Sequence, residues 1–200
     1  MQFDPTTLAE RDVYKLMIGS VVPRPIAWVS SQAPDGTLNL APFSYFMAVS
    51  STPPTIAVSV GLRRGQPKDT LANIQASGEF VVNVVTEDVV EKMNLTSGNY
   101  SPDVDEFAVA GLTPVPSAVV APPRVAESPI HLECRVVQIV PIGEAGQGNG
   151  LIIGRVVLFH VRDDLLHDGR IDQQALRAVG RMAGDGYTRT RDQFSLKRPP

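Results

Sequence analysis

Lys68-Asp69-Thr70 puts a cation, a carboxylate and a hydroxyl in consecutive positions where a helical stretch begins. A helix N-terminus presents unpaired backbone N–H groups and a partial positive charge, which together hold a phosphate. Lys68 adds a full charge and Thr70 a hydroxyl. Arg63 or Arg64, in the preceding loop Gly61 to Pro67, can close on the same anion. An ordinary capped helix with a solvated lysine shows the same pattern, so this stretch alone does not decide. Upstream, Asn39-Leu40-Ala41-Pro42-Phe43-Ser44 sets an amide, a proline and a hydroxyl at a strand end. Asn39 and Ser44 have the in-plane donors and acceptors that the edge of a heterocycle needs, although turn residues at a strand end look the same. Trp28, the only tryptophan, either stacks on a ring or fills the core. Taken together, residues 23 to 70 suit a cradle for a planar, phosphate-bearing ligand.

Other chemistries find less support. His131, His160 and His167 have no HExxH spacing and no partner cysteines, which argues against a zinc site. His160 ends an apolar strand, where it either faces a barrel mouth or is a hydrogen-bonded structural residue. Cys134 lies inside a strand and reads as buried and inert. No G-x-S-x-G or G-x-x-x-x-G-K-[ST] occurs, so serine-hydrolase and P-loop readings have no motif behind them. The glycine cluster from Gly143 to Gly150 lacks the following helix that a phosphate loop requires, and reads as a hairpin loop.

The elements that must position these residues follow from periodicity and punctuation. Thr6 or Thr7 caps a first helix with Leu8, Val13, Leu16 and Met17 on one face and Gly19 as its stop. Pro23 and Pro25 forbid helix, and Ile26 to Ser31 reads as a strand. Ala33-Pro34-Asp35-Gly36 is a turn, and Thr37 to Phe43 returns as the hairpin partner. Thr55 to Val60 is a buried strand. Asp69 or Thr70 caps a helix that runs to about Ala76 and ends at Gly78. Phe80 to Val85 is a strand, and Thr86 starts a helix with Val89, Val90 and Met93 facing inward. Ser101-Pro102 opens a short helix, and the proline-rich stretch Thr113 to Pro123 is an extended surface segment. Ile130 to Val140 and Leu151 to Val161 are long hairpin strands. Asp172 caps a last helix, Gln173 to Val179, followed by a polar tail without periodicity. Consecutive hairpins with short helices predict a mostly β protein, an antiparallel closed or half-open barrel. The absence of βαβ alternation counts against a Rossmann-type fold.

Composition sets the bounds. At 200 residues one domain is expected, large enough to bury a core without disulfides. Seventeen prolines and sixteen glycines, spread along the chain, mean many turns and argue against a helical bundle. A net charge of −3 gives no electrostatic reason to expect nucleic acid or an anionic membrane as a partner. No apolar run approaches a membrane span, the N-terminus does not read as a signal peptide, and the single cysteine fits a reducing compartment. A cytoplasmic protein is expected.

The ordered set of motifs resembles the flavin reductase-like family, FMN-binding proteins with a split β-barrel fold. The residues that carry the resemblance are Pro23-Arg24-Pro25-Ile26-Ala27-Trp28-Val29-Ser30, Asp35-Gly36 with Asn39-Leu40-Ala41-Pro42-Phe43-Ser44, Pro53-Pro54, Lys68-Asp69-Thr70 with Asn73-Ile74, and Gly78-Glu79-Phe80-Val81-Val82-Asn83. Gly154-Arg155-Val156-Val157, and Gly180-Arg181-Met182-Ala183-Gly184 with Tyr187, continue it. The resemblance implies a Greek-key antiparallel barrel, residues 1–200 forming one FMN-binding domain, and a homodimer with FMN near the subunit interface. It implies an isoalloxazine lying along Arg24, Pro25, Ile26, Trp28, Ser30, Asn39, Ala41, Pro42, Phe43 and Ser44. The phosphate would be held by Lys68, Thr70, Asp69 and Arg63 or its neighbour, with Tyr187 reaching the site from the tail. The implied activity is NAD(P)H:flavin reduction, with NADH or NADPH as donor, no acid or base side chain in the hydride step, and a partner oxygenase as acceptor. Short two-component reductases carry Gly-Asp-His before the G-x-V strand, whereas this chain has Gly148-Asn149-Gly150-Leu151-Ile152-Ile153. That departure keeps two alternatives open: an FMN electron-transfer protein without a nicotinamide site, and a flavin-dependent oxygenase or reductase of a small organic substrate.

Overall fold

The computed structural model describes residues 1–63, 65–143 and 148–199. Strand β1 (Ala27–Gln32) turns through Gly36, at φ +96°, into β2 (Leu38–Phe43). β3 (Phe46–Ser51) folds back on β4 (Pro54–Arg63), which also pairs with the two-residue β5 (Gln66–Pro67). β6 (Glu79–Val84) follows helix α2 (Asp69–Ser77). β7 (Pro114–Val115) and β8 (Arg124–Val125) form a small ribbon, and β9 (Ile130–Ile142) and β10 (Asn149–Val161) form the long hairpin. The remaining helices are α1 (Glu10–Ser20), α3 (Val90–Leu95), α4 (Glu106–Val109) and α5 (Gln173–Leu176). Two further ribbons close the chain: β11 (Leu166–His167) with β12 (Arg170–Ile171), and β13 (Val179–Arg181) with β14 (Tyr187–Arg189).

The main sheet has eight strands in the order β2-β1-β6-β9-β10-β4-β3, with β5 on β4, and its pairings are antiparallel. Its two edges, β2 and β3, are joined by Ser44 and Tyr45 alone. The sheet must therefore curl until its edges meet, leaving a barrel split at that seam. The Ser59 N–H donates to Tyr45 O at 2.8 Å, extending the β3–β4 ladder to the connection beside the seam. Inside the barrel, Ala27, Val29, Val58, Phe80 and Ile152 form one core; outside it, Trp28, Leu40, Met93, Phe107 and Val125 form another. β1 is thus buried on both faces, which is why its sequence reads as an apolar run rather than an alternation. Gly154 lies where β10 shifts register, and a Cβ there would sit 2.5 Å from the wholly buried Phe80 ring, so the position needs glycine. Among the described residues no helix is long and apolar enough to cross a membrane.

Several expected boundaries are corrected. The first helix starts after Ala9, not at Thr6 or Thr7, because Asp4 caps a separate 3-10 turn at Pro5–Thr7; Gly19 stays inside it. Leu16 and Met17 are exposed. α2 has Lys68 at its N-cap, so Asp69 and Thr70 sit in the first turn, while Gly78 ends it as expected, at φ +71°. The residues from Thr86 form a turn, and α3 begins only at Val90. The helix expected at Ser101 forms instead behind Asp105, whose side chain accepts the Phe107 N–H. α5 is a single turn, ended by Arg177 at φ +49°, and Val179 to Arg181 is strand. β3 was not expected because its solvent-facing residues carry no burial pattern. The hairpin read across Gly143 to Gly150 is present on both sides, although residues 144–147 lie outside the described ones.

Candidate functional site

The end of β2 threads three adjoining clefts. The first, of about 70 Å³, is lined by Asn39, Ala41, Pro42, Phe43, Arg63, Lys68, Asp69, Thr70, Thr96, Ser97, Gly98, Asn99 and Glu106. The second, of about 220 Å³, shares Pro42, Phe43 and Ser97 with it and adds Tyr14, Ile26, Ser44, Met93, Asn94, Arg181 and Tyr187. The third, of about 360 Å³, shares Ser44 with the second and is walled by Met17, Val21, Pro23, Arg24, Pro25, Tyr45, Phe46, Met47, Ala57, Ser59 and Leu151. One strand end therefore runs from a polar cup to an apolar slot.

The cup is built from β1, β2 and α2. Asn39 Nδ2 donates to Thr70 Oγ1 at 2.8 Å and to Ser31 Oγ at 3.1 Å; Asn73 Nδ2 also donates to Ser31 Oγ. Thr70 Oγ1 thus serves as an acceptor within the protein, and its own proton remains for a ligand. Among the described residues no side chain caps α2, which leaves its first-turn N–H groups without an intrahelical partner. Arg63 Nη1 donates to Tyr100 O at 3.1 Å, but its Nε is buried with no partner among the described residues. Lys68 has its ammonium held below the usual lysine range, first by burial and then by the Arg63 charge. Two adjacent cations and an orphaned buried donor are destabilising until an anion arrives, and a phosphate meets all three needs. On the opposite wall Glu106 is buried, its Oε2 accepting the Leu40 N–H at 2.9 Å. Burial raises this carboxyl, with Asp69 and Asp105 contributing, against the Leu40 bond.

The tail closes the second cleft. Arg181 exchanges both backbone hydrogen bonds with Arg24, its guanidinium lies 4.5 Å from the centre of the Tyr187 ring, and Tyr187 Oη donates to Asn94 Oδ1 at 3.0 Å. Glu87 pins the following segment through Arg189 and Arg191.

Of the residues singled out from sequence, Asn39, Ala41, Pro42, Phe43, Arg63, Lys68, Asp69 and Thr70 line the cup. Ile26 and Tyr187 line the second cleft, Pro25 lines the third, and Ser44 lies between them. Arg64 lies outside the described residues. Three expectations are corrected. Trp28 is wholly buried, its Nε1 donating to Thr96 Oγ1 at 2.9 Å, so its ring cannot stack on a ligand. Ser30 is also wholly buried, its hydroxyl donating to Pro123 O at 2.5 Å. Arg24 borders the third cleft but its guanidinium is committed to protein: Nη1 to Ile18 O and Val21 O, Nη2 to Met182 O, and Nε to Ser44 Oγ. It positions the α1 end, Ser44 and the tail relative to one another. The sequence reading missed the segment Thr96 to Asn99 and Glu106. Thr-Ser-Gly-Asn after a helix was a visible turn signal, but nothing local tied it to the cup.

A family model, the flavin reductase like domain, matches residues 18–175. Nitrilotriacetate monooxygenase component B from Bacillus cereus is 41% identical, with 98% of each chain covered and a TM-score of 0.96. The 2-nitrobenzoate 2-nitroreductase of Pseudomonas fluorescens is 31% identical over 100% of this chain and 96% of its own, with a TM-score of 0.91. A protein of Shewanella frigidimarina described as a flavin reductase with a split barrel domain is 26% identical over 100% of this chain and 98% of its own, with a TM-score of 0.84. With the split antiparallel barrel already established from its own strands, the chain belongs to the flavin reductase-like domain family and is an oxidoreductase.

Proposed function

We propose that this protein is an FMN-dependent reductase that accepts a hydride from NADH or NADPH and hands the reducing equivalents to a partner oxygenase. The observation that carries the reading is the polar cup at one end of the linked clefts, with Arg63, Lys68, Thr70 and the open α2 terminus converging on it. FMN is the flavin whose single terminal phosphate such a cup suits. Pro42, Phe43 and Ser44 would then lie along the ring system, with Pro25 and Ile26 behind them. Bound flavin supplies the redox chemistry; the chain's own residues hold the phosphate, orient the ring and keep water from its apolar side. The partner oxygenase is inferred from the 41% identity to a monooxygenase component.

We also propose one domain over residues 1–200, a cytoplasmic setting and a homodimer. Met17, Val21 and Met47, at 51%, 55% and 58% exposure, wall the third cleft, with Val49 at 51% alongside. A second copy on this face would cover an apolar patch that a monomer rarely leaves open and would close the slot. The stretch Gly148-Asn149-Gly150 favours a second reading: glycine stands at 150 where the Gly-Asp-His of the short reductases has its histidine, and Asn149 Nδ2 is committed to Ser59 Oγ at 2.8 Å. That reading is an FMN electron-transfer protein without a nicotinamide site.

Purification with FMN and steady-state assay with NADH and NADPH separates the two. A yellow protein that oxidises either nucleotide supports the first. A yellow protein that oxidises neither, with or without added flavin, overturns it.

A further inference from the structure

Away from these clefts, and sharing no residue with them, lies a cavity of about 460 Å³ where β8, the 126–129 loop, the start of β9 and the end of β10 meet. Its chemistry is carried by Arg124, Ser128, His131, Phe159, His160 and Arg162, and among the described residues no carboxylate lines it, Asp164 lying behind Arg162. The volume lies within the range of small-molecule sites.

The cavity is organised from below by Glu133, which is wholly buried. Its carboxylate accepts the Ala118 N–H at 2.8 Å, the Val119 N–H at 2.7 Å and His160 Nε2 at 2.6 Å. Burial pushes this carboxyl up, but those three bonds outweigh it and hold it below the usual range. An ionised Glu133 makes His160 Nε2 the donor and fixes the ring's orientation. The His160 side chain is 25% exposed, and its Nδ1 has no partner among the described residues. A carboxylate that pins one nitrogen of an imidazole holds the ring in one orientation. His131, edge-on to His160 with centroids 6.0 Å apart, bonds Val125 O through Nε2 at 2.8 Å and stiffens the ring from the side.

The two arginines are held but not exhausted. Arg124 Nε and Nη2 both donate to Pro116 O, and Arg162 Nε donates to Asp164 Oδ1 at 2.5 Å. A guanidinium has five N–H donors, so each retains free ones. Phe159, 54% exposed, adds an apolar face.

We propose that this cavity binds a small planar organic anion, its phosphate or carboxylate engaged by Arg124 and Arg162 and its ring laid against Phe159 and the His160 imidazole. The site is independent of the flavin clefts and of the reaction proposed for them. The shared chemistry is an anionic group on a flat ring, which a mononucleotide and an aryl carboxylate both possess.

The test is calorimetric titration of the FMN-loaded full chain with AMP, benzoate and inorganic phosphate, with histidine NMR shifts followed in parallel. Saturable binding of AMP or benzoate, tighter than phosphate and shifting His160, is expected; which of the two binds identifies the anion. Arg162→Ala and Arg124→Ala should each weaken it on the order of tenfold, the effect of losing one charge-assisted bond. Arg162 is 55% exposed, so its replacement leaves the fold intact. His160→Gln, which can still donate to Glu133, should weaken binding while preserving the melting temperature. The proposal is overturned by the absence of saturable binding for all three probes, by phosphate binding as tightly as both ring compounds, or by binding that excess FMN abolishes and the arginine variants do not change.

Discussion

Replacing Lys68 with alanine tests the proposed phosphate cup apart from the rest of the fold. Lys68 makes no hydrogen bond or ion pair with protein among the described residues, and its nearest charge of note, Arg63, repels it. Its loss should therefore change stability by no more than about 0.5 kcal/mol, as for a substitution that breaks no protein contact. The cost falls on ligand instead. A charge-assisted hydrogen bond to phosphate is worth roughly 1.5–3 kcal/mol, so FMN affinity should fall about ten- to a hundredfold. Riboflavin, which has no phosphate, should bind wild type and variant alike. The assay is fluorescence titration of both flavins beside a thermal melt. Because the lysine is held below its usual range, wild-type FMN affinity should begin to fall as pH rises toward 10.5, and Lys68→Ala should flatten that limb. Unchanged FMN affinity in the variant, or an equal loss for riboflavin, would refute the placement of the phosphate.

Gly154→Ala should destabilise by about 1–3 kcal/mol in denaturant melts, because its Cβ would meet Phe80 at 2.5 Å inside a packed barrel. Arg24→Ala should cost roughly 2–4 kcal/mol and make the tail more sensitive to protease, since it strands the carbonyls of Ile18, Val21 and Met182. Burial depresses His131 from 6.5 to about 4, so the unfolded chain takes up its proton first. Stability should fall as pH drops from 6.5 to about 4 and this contribution should level off below that, a loss of up to roughly 3 kcal/mol that His131→Gln removes. An acid-melting series on both proteins checks it.

The sequence made the barrel legible through its hairpins. Gly36 supplied the positive φ of the first turn, β-branched runs marked β4 and β6, and the long β9–β10 pair showed on either side of its glycines. What escaped was set by tertiary contact. β3 packs one edge against β4 and turns the rest of its residues outward, so it shows no period. Arg177 ends α5 after a single turn, and the next residues pair with Tyr187 to Arg189, a ribbon that exists because Glu87 and Arg24 hold it. In the candidate site, Lys68, Asp69 and Thr70 could be singled out because cation, hydroxyl and helix start are adjacent in sequence. Trp28 and Arg24 were misread because an aromatic or a guanidinium near a ligand looks the same, in sequence, as one that bonds Thr96 or three carbonyls. Glu106 and the Thr96 to Asn99 turn reach the cup only through the fold of the second core.

The most direct test mixes the FMN-loaded protein with NADH or NADPH under strict exclusion of oxygen and follows the visible flavin band. The band should bleach with one nucleotide within the turnover time and recover on admitting oxygen or an oxygenase-linked acceptor. A band that stays unchanged with both nucleotides, in protein that binds FMN through Lys68, would contradict the reductase account.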